Sequence, residues 1–189
     1  MGLVKNCTMT QNLAKDKGAG IYNFYGEVEN CVVHGNLSKY GGGIYNFSGT
    51  ISNCLVFDNT ADYRGGGIFN NDGSVTNCTL YENEGEKEAG GIYINDGNVI
   101  NTISWNNTGA DVAGDLAKIS HSCFGALNLN NNNIRENPLF TNTSGDPSTW
   151  DFHLQNGSPC IDHANPAGAP NYDFEGNIRP GTDDKVCMG

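Results

Sequence analysis

Two stretches decide the fold: residues 41–56 read GGGIYNFSGTISNCLV, and residues 65–80 read GGGIFNNDGSVTNCTL. The Asn-Cys pair they share continues the repeat along the chain, at 6–7, 30–31, 53–54 and 77–78, with Asn101-Thr102 as a degenerate fifth copy. Successive copies lie 24, 23, 24 and 24 residues apart. A fixed period of this length is typical of a solenoid, in which every repeat forms one coil.

Each repeat consists of short extended segments separated by turns. Ile, Val, Tyr, Phe and Thr fill runs of six to eight residues between Gly, Asn and Asp turns, a composition that predicts strands rather than helices. We therefore predict an all-β fold, a right-handed single-stranded parallel β-helix with about 24 residues and two or three short strands per coil. The right hand is expected from the crossover rule for parallel strands together with the family resemblance given below, and not from the period.

The repeat also sets the predicted domain organisation. We expect five regular coils and a partial sixth over residues 1–127, and a non-repetitive capping tail over residues 128–189 that packs on the last coil. The chain opens in mid-coil, because residues 2–7 align with residues 26–31. We expect this uncapped end to mean either a piece of a longer protein or a surface for end-to-end self-association.

The composition fits the thin core of a solenoid. Hydrophobic residues make up 37% of the chain, against about 45–50% in ordinary globular domains. Alternation predicts inward rows at Ile21, Ile44, Ile68 and Ile92, at Val4, Val28, Ile51, Val75 and Val99, and at Met9, Val33, Val56 and Leu80. Cys7, Cys31, Cys54 and Cys78 are predicted to point inward as small buried hydrophobes. Asn6, Asn30, Asn53, Asn77 and Asn101 are predicted to stack beside them as an amide ladder.

Charge and composition exclude several classes of function. The net charge is −11, and the 10 Lys and Arg residues are scattered, so we expect no nucleic-acid partner. No stretch approaches 18 apolar residues, so we expect no membrane insertion. No histidine joins the cysteine row and no Cys-x-x-Cys pair occurs, so we expect no zinc or redox site and no cofactor other than calcium.

One aromatic ring per coil is predicted to point outward in each of two rows. The rows are Tyr22, Tyr45, Phe69 and Tyr93, and His34, Phe57, Tyr81 and Trp105. Rings repeated at about 4.8 Å suit stacking on sugar rings or contact with another protein. We therefore predict these residues to bind a polysaccharide or a surface protein. The alternative is that the long loops at 37–41 and 60–65 fold over one row.

A polysaccharide lyase or glycoside hydrolase is the alternative function. Asp72 and Asp96 fall at the same turn one coil apart, where they suit a calcium ion or a catalytic carboxylate pair. Asn-Asp-Gly is also a favoured tight turn, and no Lys or Arg repeats beside the pair. We therefore favour a non-catalytic scaffold and keep these aspartates as the candidate catalytic residues.

Two sets of motifs carry a family resemblance. The GGGIYN segment, and an Asn a few residues after each Asn-Cys, resemble the coils of bacterial right-handed β-helix proteins, including the repeats of chlamydial polymorphic outer membrane proteins. The tail, with NPLF at 137–140, DFHL at 151–154, GSPCID at 157–162 and DFEGNIRP at 173–180, is similar to the end of the choice-of-anchor Q family. The resemblance implies an extracellular or bacterial cell-surface location and a mostly structural tail. Residues 181–189 depart from that family, whose members commonly continue into a short apolar strand.

Three cysteines lie outside the inward row. Cys123 aligns with Ile103 instead of with the cysteine row, so we expect it to face outward, toward the tail. In an oxidising compartment we expect Cys123 to pair with Cys160, which would close a loop of about 37 residues and stabilise the fold by roughly 3–4 kcal/mol. Cys187 is then left free.

Overall fold

The strands form wherever the repeat places Ile, Val, Thr or an aromatic residue between turns, and each strand pairs with its equivalent one coil away. The computed structural model describes residues 2–125, 130–167 and 169–179. Pairing is parallel and keeps the register of the sequence repeat, as in Val4 to Val28 and Val28 to Ile51. The predicted all-β parallel solenoid of about 24 residues per coil is confirmed.

Four parallel sheets run along the solenoid. Sheet 1 contains Leu3–Lys5, Glu27–Glu29, Thr50–Ser52, Gly73–Thr76, Gly97–Ile100 and Ile119–Ser120. Sheet 2 contains Thr8–Thr10, Val32–His34, Leu55–Phe57, Thr79–Tyr81, Ile103–Trp105 and Cys123–Phe124. Sheet 3 contains Leu37–Tyr40, Thr60–Arg64 and Glu84–Gly85, and sheet 4 contains Ile21–Asn23, Ile44–Asn46, Ile68–Asn70, Ile92–Ile94 and Val112–Gly114. The middle coils therefore have four strands, where the sequence predicted two or three.

The remaining regular elements are short. Leu116–Lys118 and Pro147–Thr149 form single 3-10 turns, and Phe140–Asn142 pairs with Asp151–Leu154 as an antiparallel ribbon in the tail. In the part of the chain that the structure describes, no helix has the length and apolar character needed to cross a membrane.

Left-handed asparagines make the corner between sheets 1 and 2. Asn6, Asn30, Asn53, Asn77 and Asn101 all have φ between 51° and 55°, a conformation that asparagine tolerates better than most residues. The predicted amide ladder in this row is wrong, apart from one long contact of 3.4 Å between Asn101 and Asn77. The Asn53 and Asn101 amides instead donate to tail carbonyls, of Tyr172 and Asn165, each at 2.8 Å.

Two other asparagine rows form the amide ladders. At the end of sheet 2 the linked residues are Asn12, Asn36, Asn59, Asn83 and Asn107, with Nδ2 to Oδ1 distances of 2.9–3.0 Å. At the end of sheet 4 they are Asn23, Asn46 and Asn70, at 2.8 Å. The first ladder ends on Asp111, which accepts from Asn107 at 2.9 Å and whose burial raises the pKa of its carboxyl. Bonded amides satisfy polar groups that the core would otherwise leave unpaired.

The apolar rows predicted to point inward form the core. The buried members are Ile21, Ile44, Ile68 and Ile92, Val28, Ile51, Val75 and Val99, and Val33, Val56 and Leu80. Cys31, Cys54 and Cys78 are also fully buried, and desolvation raises the pKa of the Cys54 thiol. Cys7, predicted to be buried, is exposed, and the strands on either side of it are edge strands of sheets 1 and 2.

The tail lies along the outer face of sheet 2. Ile134 adds one bridge beyond Cys123, and the chain then runs back until the Arg179 guanidinium donates to Asn53 Oδ1 at 3.1 Å. The tail packs on the last coil through Ile134 and Cys160, and it extends from there along the earlier coils, which the repeat did not predict. The physical reason is that the outer face of sheet 2 carries aromatic and aliphatic side chains that need a cover.

Candidate ligand-binding surfaces

The first predicted aromatic row forms a stack of rings on the outer face of sheet 4. Ring centroids are 5.3 Å apart from Tyr22 to Tyr45, 4.9 Å from Tyr45 to Phe69 and 5.1 Å from Phe69 to Tyr93. These distances follow the strand spacing of about 4.8 Å. The register of sheet 4 therefore produces the ring spacing that the sequence predicted.

Sheet 3 and its loops cover this stack. Tyr40 packs edge-on against Phe69 at 5.7 Å and contacts Tyr63 at 5.4 Å. The Arg64 guanidinium lies 4.8 Å from the ring of Tyr93 and forms a 3.0 Å ion pair with Glu88. The segments at 37–41 and 60–65 thus cover the row, as the alternative interpretation held, but they do so largely as strands of sheet 3 and not as loops.

The cover leaves one end of the row open. Tyr45 and Phe69 keep only 5% and 8% of their surface exposed, whereas Tyr22 keeps 46%. Lys17 places its ammonium 4.9 Å from the Tyr45 ring, while burial raises the pKa of the Tyr45 phenol. The expectation of an exposed ring face is therefore wrong for Tyr45 and Phe69.

The second predicted row is the surface on which the tail packs. Phe57 and Tyr81 are buried. Trp150 lies 5.6 Å from Phe57 and 5.2 Å from Tyr81, and Phe152 lies 5.5 Å and 5.8 Å from the same two rings. The Tyr81 hydroxyl also donates to Thr143 Oγ1 at 3.1 Å. The expectation of free rings is wrong for Phe57 and Tyr81, because the reach of the tail could not be predicted from the repeat.

The two ends of this second row are only partly covered. His34 stacks on Phe57 with centroids 4.8 Å apart and planes 6° apart, and it remains half-buried. Trp105 is also half-buried and packs against the cluster that contains Cys123. Neither residue offers an isolated ring face comparable with that of Tyr22.

A group of aromatic rings lies at one corner of the solenoid, and of these rings only Tyr22 was predicted from the sequence to bind a ligand. We call Tyr22, Phe24, Tyr25 and Phe47 the aromatic corner. Phe24 and Tyr25 are 61% and 51% exposed, and their centroids are 4.7 Å apart in an edge-to-face arrangement. Phe47 packs 5.1 Å from Phe24 and 5.6 Å from Tyr25. The signal in the sequence was the presence of aromatic residues at turn positions, which polar residues usually occupy.

The backbone at the aromatic corner is strained. Tyr25 has φ of 56°, in the left-handed region that bulky residues rarely adopt. Strain of this kind persists where surrounding structure fixes it, and it concentrates at functional sites. Here the fixing contact is Asn23, whose Oδ1 accepts from the Gly26 amide at 3.1 Å and whose Nδ2 joins the ladder of sheet 4.

The two candidate catalytic aspartates have different hydrogen-bond partners. Asp96 is ion-paired with Lys118, and this contact holds the pKa of Asp96 below its ordinary value. Asp72 is exposed and accepts from Ser48 Oγ at 3.5 Å. The ion pair of Asp96 with Lys118 could not be predicted from the repeat, because Lys118 lies in the 3-10 turn, outside the regular coils. Within residues 2–125, 130–167 and 169–179, no group of three or more His, Cys, Asp or Glu side chains is placed to hold a metal ion.

Cys123 faces outward from sheet 2, as predicted. It lies in a buried cluster with Ile103, Ile134 and Cys160. The Cys123 thiol donates to the Glu136 carbonyl at 3.2 Å, and the neighbouring Cys160 thiol together with burial raises the pKa of Cys123. Both thiols are free in the structure, so the disulfide stays a prediction. Cys187 lies outside the described residues.

Comparison with known proteins agrees with this architecture. No curated protein and no solved structure matches the chain. The family described as the right handed beta helix region matches residues 2–166, a range that includes all the coils and most of the ribbon-containing tail. The chain therefore belongs to the right-handed β-helix family.

Proposed function

We propose that the chain is a non-catalytic scaffold, located outside the cell or on a bacterial cell surface, that binds a neutral glycan at the aromatic corner. The observation that carries this proposal is the exposure of three rings, Tyr22, Phe24 and Tyr25, side by side. Leaving one large apolar side chain in water forgoes about 1.5–3 kcal/mol of burial free energy. Contiguous exposed rings are therefore a mark of a binding surface.

The chemistry of the aromatic corner suits carbohydrate. Sugar rings have one face of C–H groups that packs on aromatic rings, while the tyrosine hydroxyls of Tyr22 and Tyr25 supply polar contacts at the edge. The chain carries a net charge of −11, which disfavours acidic polysaccharides. A neutral glycan is therefore the class of ligand that the surface favours.

The solenoid holds the corner in place before any ligand arrives. Asn23 donates to Asn46 Oδ1 at 2.8 Å, and Phe47 donates its backbone amide to the Asn23 carbonyl at 2.8 Å. These bonds join the two turns that carry the rings. A pre-organised surface loses less conformational entropy on binding than a flexible one.

The proposed extracellular or cell-surface location rests on sequence resemblance. The tail motifs resemble the choice-of-anchor Q family and the coils resemble polymorphic outer membrane protein repeats, and both groups are extracytoplasmic. Membership of the right-handed β-helix family is consistent with a scaffold or a carbohydrate-related protein.

A glycan array followed by titration of the best neutral oligosaccharide tests the proposal. We expect the double variant Phe24→Ala, Tyr25→Ala to bind about tenfold more weakly or worse, because each ring contributes about 0.5–1.5 kcal/mol beyond its buried area. The control is Leu13→Ala, which removes another exposed apolar side chain from the same coil and should leave the affinity unchanged. Absence of any neutral glycan ligand, or equal affinity of the double variant, would refute the proposal.

A further inference from the structure

We propose a second binding site, separate from the aromatic corner, in a cleft between the tail and the outer face of sheet 2, whose ligand is a compact organic cation with an apolar body. The cleft has a volume of about 610 Å³. Small-molecule sites commonly measure about 300–1,000 Å³. Neither the cleft nor its polar residues belong to the sites predicted from the sequence.

The walls of the cleft are apolar and come from both parts of the chain. Leu55 of sheet 2 forms part of the floor, and Trp150, Phe152 and Phe174 of the tail supply aromatic walls. Trp150 and Phe152 are anchored on Phe57 by the ring contacts described above. The walls are therefore fixed by the same packing that docks the tail, and an apolar body entering the cleft meets surfaces that are already in place.

One side of the cleft carries a histidine between two carboxylates. His153 Nδ1 lies 2.5 Å from Asp151 Oδ1, and His153 Nε2 lies 3.1 Å from Glu175 Oε1. Asp173 and Arg179 also line the cleft, and Arg179 is already bonded to Asn53. Three carboxylates thus oppose one arginine and one histidine, so the lining is negative whichever form the histidine takes.

This combination of groups selects for positive charge. Aromatic ring faces attract cations, and carboxylates next to them add a charged hydrogen bond. An anion of the same shape meets a net negative lining, and a neutral analogue gains only the apolar contacts. The order of affinity should therefore be cation, then neutral molecule, then anion.

His153 competes with such a ligand for the two carboxylates. The hydrogen bond to Asp151, and to a smaller extent the one to Glu175, raises the pKa of His153. Protonated His153 occupies both carboxylates, and neutral His153 leaves at least one of them available to the ligand. Asp173 and Arg179, the other charged groups of the lining, keep their charges through this range. Cation affinity should therefore increase as the pH rises through the pKa of His153.

Three probes of one shape test the proposal: phenethylamine, 2-phenylethanol and phenylacetate, titrated into the full chain by calorimetry and by tryptophan fluorescence, to which Trp150 in the cleft wall contributes. We expect phenethylamine to bind most tightly, with an affinity that increases from pH 6 to pH 8. The amine stays protonated throughout, as alkyl amines titrate near pH 10. Glu175→Gln should weaken phenethylamine about two- to fivefold, because Glu175 is partly exposed. His153→Gln should abolish the pH dependence.

Two control variants separate this site from the rest of the surface. Glu27→Gln removes an exposed carboxylate from sheet 1 and should leave phenethylamine binding unchanged. The double variant Phe24→Ala, Tyr25→Ala should also leave it unchanged, and loss of binding there would place the amine at the aromatic corner and overturn the proposal. It is equally overturned if no probe binds, if phenylacetate binds as tightly as phenethylamine, or if Glu175→Gln has no effect.

Discussion

Replacement of Asn59 by Ala is expected to lower the free energy of unfolding by about 4 kcal/mol or more. The Asn59 amide is buried and donates to Phe57 O, Val33 O and Asn83 Oδ1 at 2.8–2.9 Å. Its Oδ1 accepts from the Asn36 backbone amide at 3.1 Å and from the Asn36 side-chain amide at 2.9 Å. Removal of the side chain deprives these buried partners of their bonds to Asn59, and each buried group left unpaired costs about 1–3 kcal/mol.

The control for this variant lies at the other end of the same ladder. Asn12 is exposed, and among the described residues its side chain donates to Asn36 Oδ1 alone. Asn12→Ala should therefore change stability by less than about 1 kcal/mol, as surface substitutions usually do. Urea denaturation of both variants measures the difference, and equal losses would show that the ladder does not stabilise the core.

Phe69→Ala is expected to destabilise the chain by about 3–5 kcal/mol. The ring is buried between Tyr45 and Tyr93 and receives the edge of Tyr40. Its removal leaves a cavity that the rigid sheets on either side cannot close. The midpoint of urea unfolding, with an unchanged dependence on denaturant, provides the measurement.

Tyr22→Ala is the matched variant in the same row, at its exposed end. Tyr22 stacks on Tyr45 and, more distantly, on Phe24, but 46% of its surface is exposed, so we expect a loss below about 1 kcal/mol. A stability of Phe69→Ala equal to that of the unchanged chain would mean that the row is open surface and that sheet 3 does not cover it.

The period and the alternation of the sequence were sufficient to predict the solenoid and its core rows. Ile44 and Val56 lie inward because side chains alternate along each strand. The strands of sheet 3 escaped prediction because segments such as Thr60–Arg64 carry mostly polar side chains. Their pairing depends on the neighbouring coils more than on local propensity.

The asparagine rows illustrate a limit of reading repeats. The row of Asn53 and the row of Asn59 recur at the same period, so the sequence does not distinguish them. The structure does, because Asn53 adopts a left-handed φ of 51° at a corner and turns its amide to the tail. Backbone conformation, which the repeat does not encode directly, decides which amides stack.

The aromatic surfaces show the corresponding limit for the candidate site. Alternation correctly placed Phe57 and Tyr81 on the outer face of sheet 2. The tail that covers this face is distant in sequence, as in the contact between Tyr81 and Thr143, which are 62 residues apart. The cleft beside His153 exists only because of that packing. Non-repetitive segments have no period from which their docking position can be predicted.

Hydroxyl-radical footprinting, with and without a neutral oligosaccharide identified on the array, tests most directly the claim that the free aromatic surface is the corner. We predict fast oxidation of Phe24 and Tyr25, slowed by the oligosaccharide, and slow oxidation of the buried Phe57 and Tyr81 in both conditions. Fast oxidation of Phe57 and Tyr81, or protection of those rings by the oligosaccharide while Phe24 and Tyr25 stay unprotected, would contradict the account.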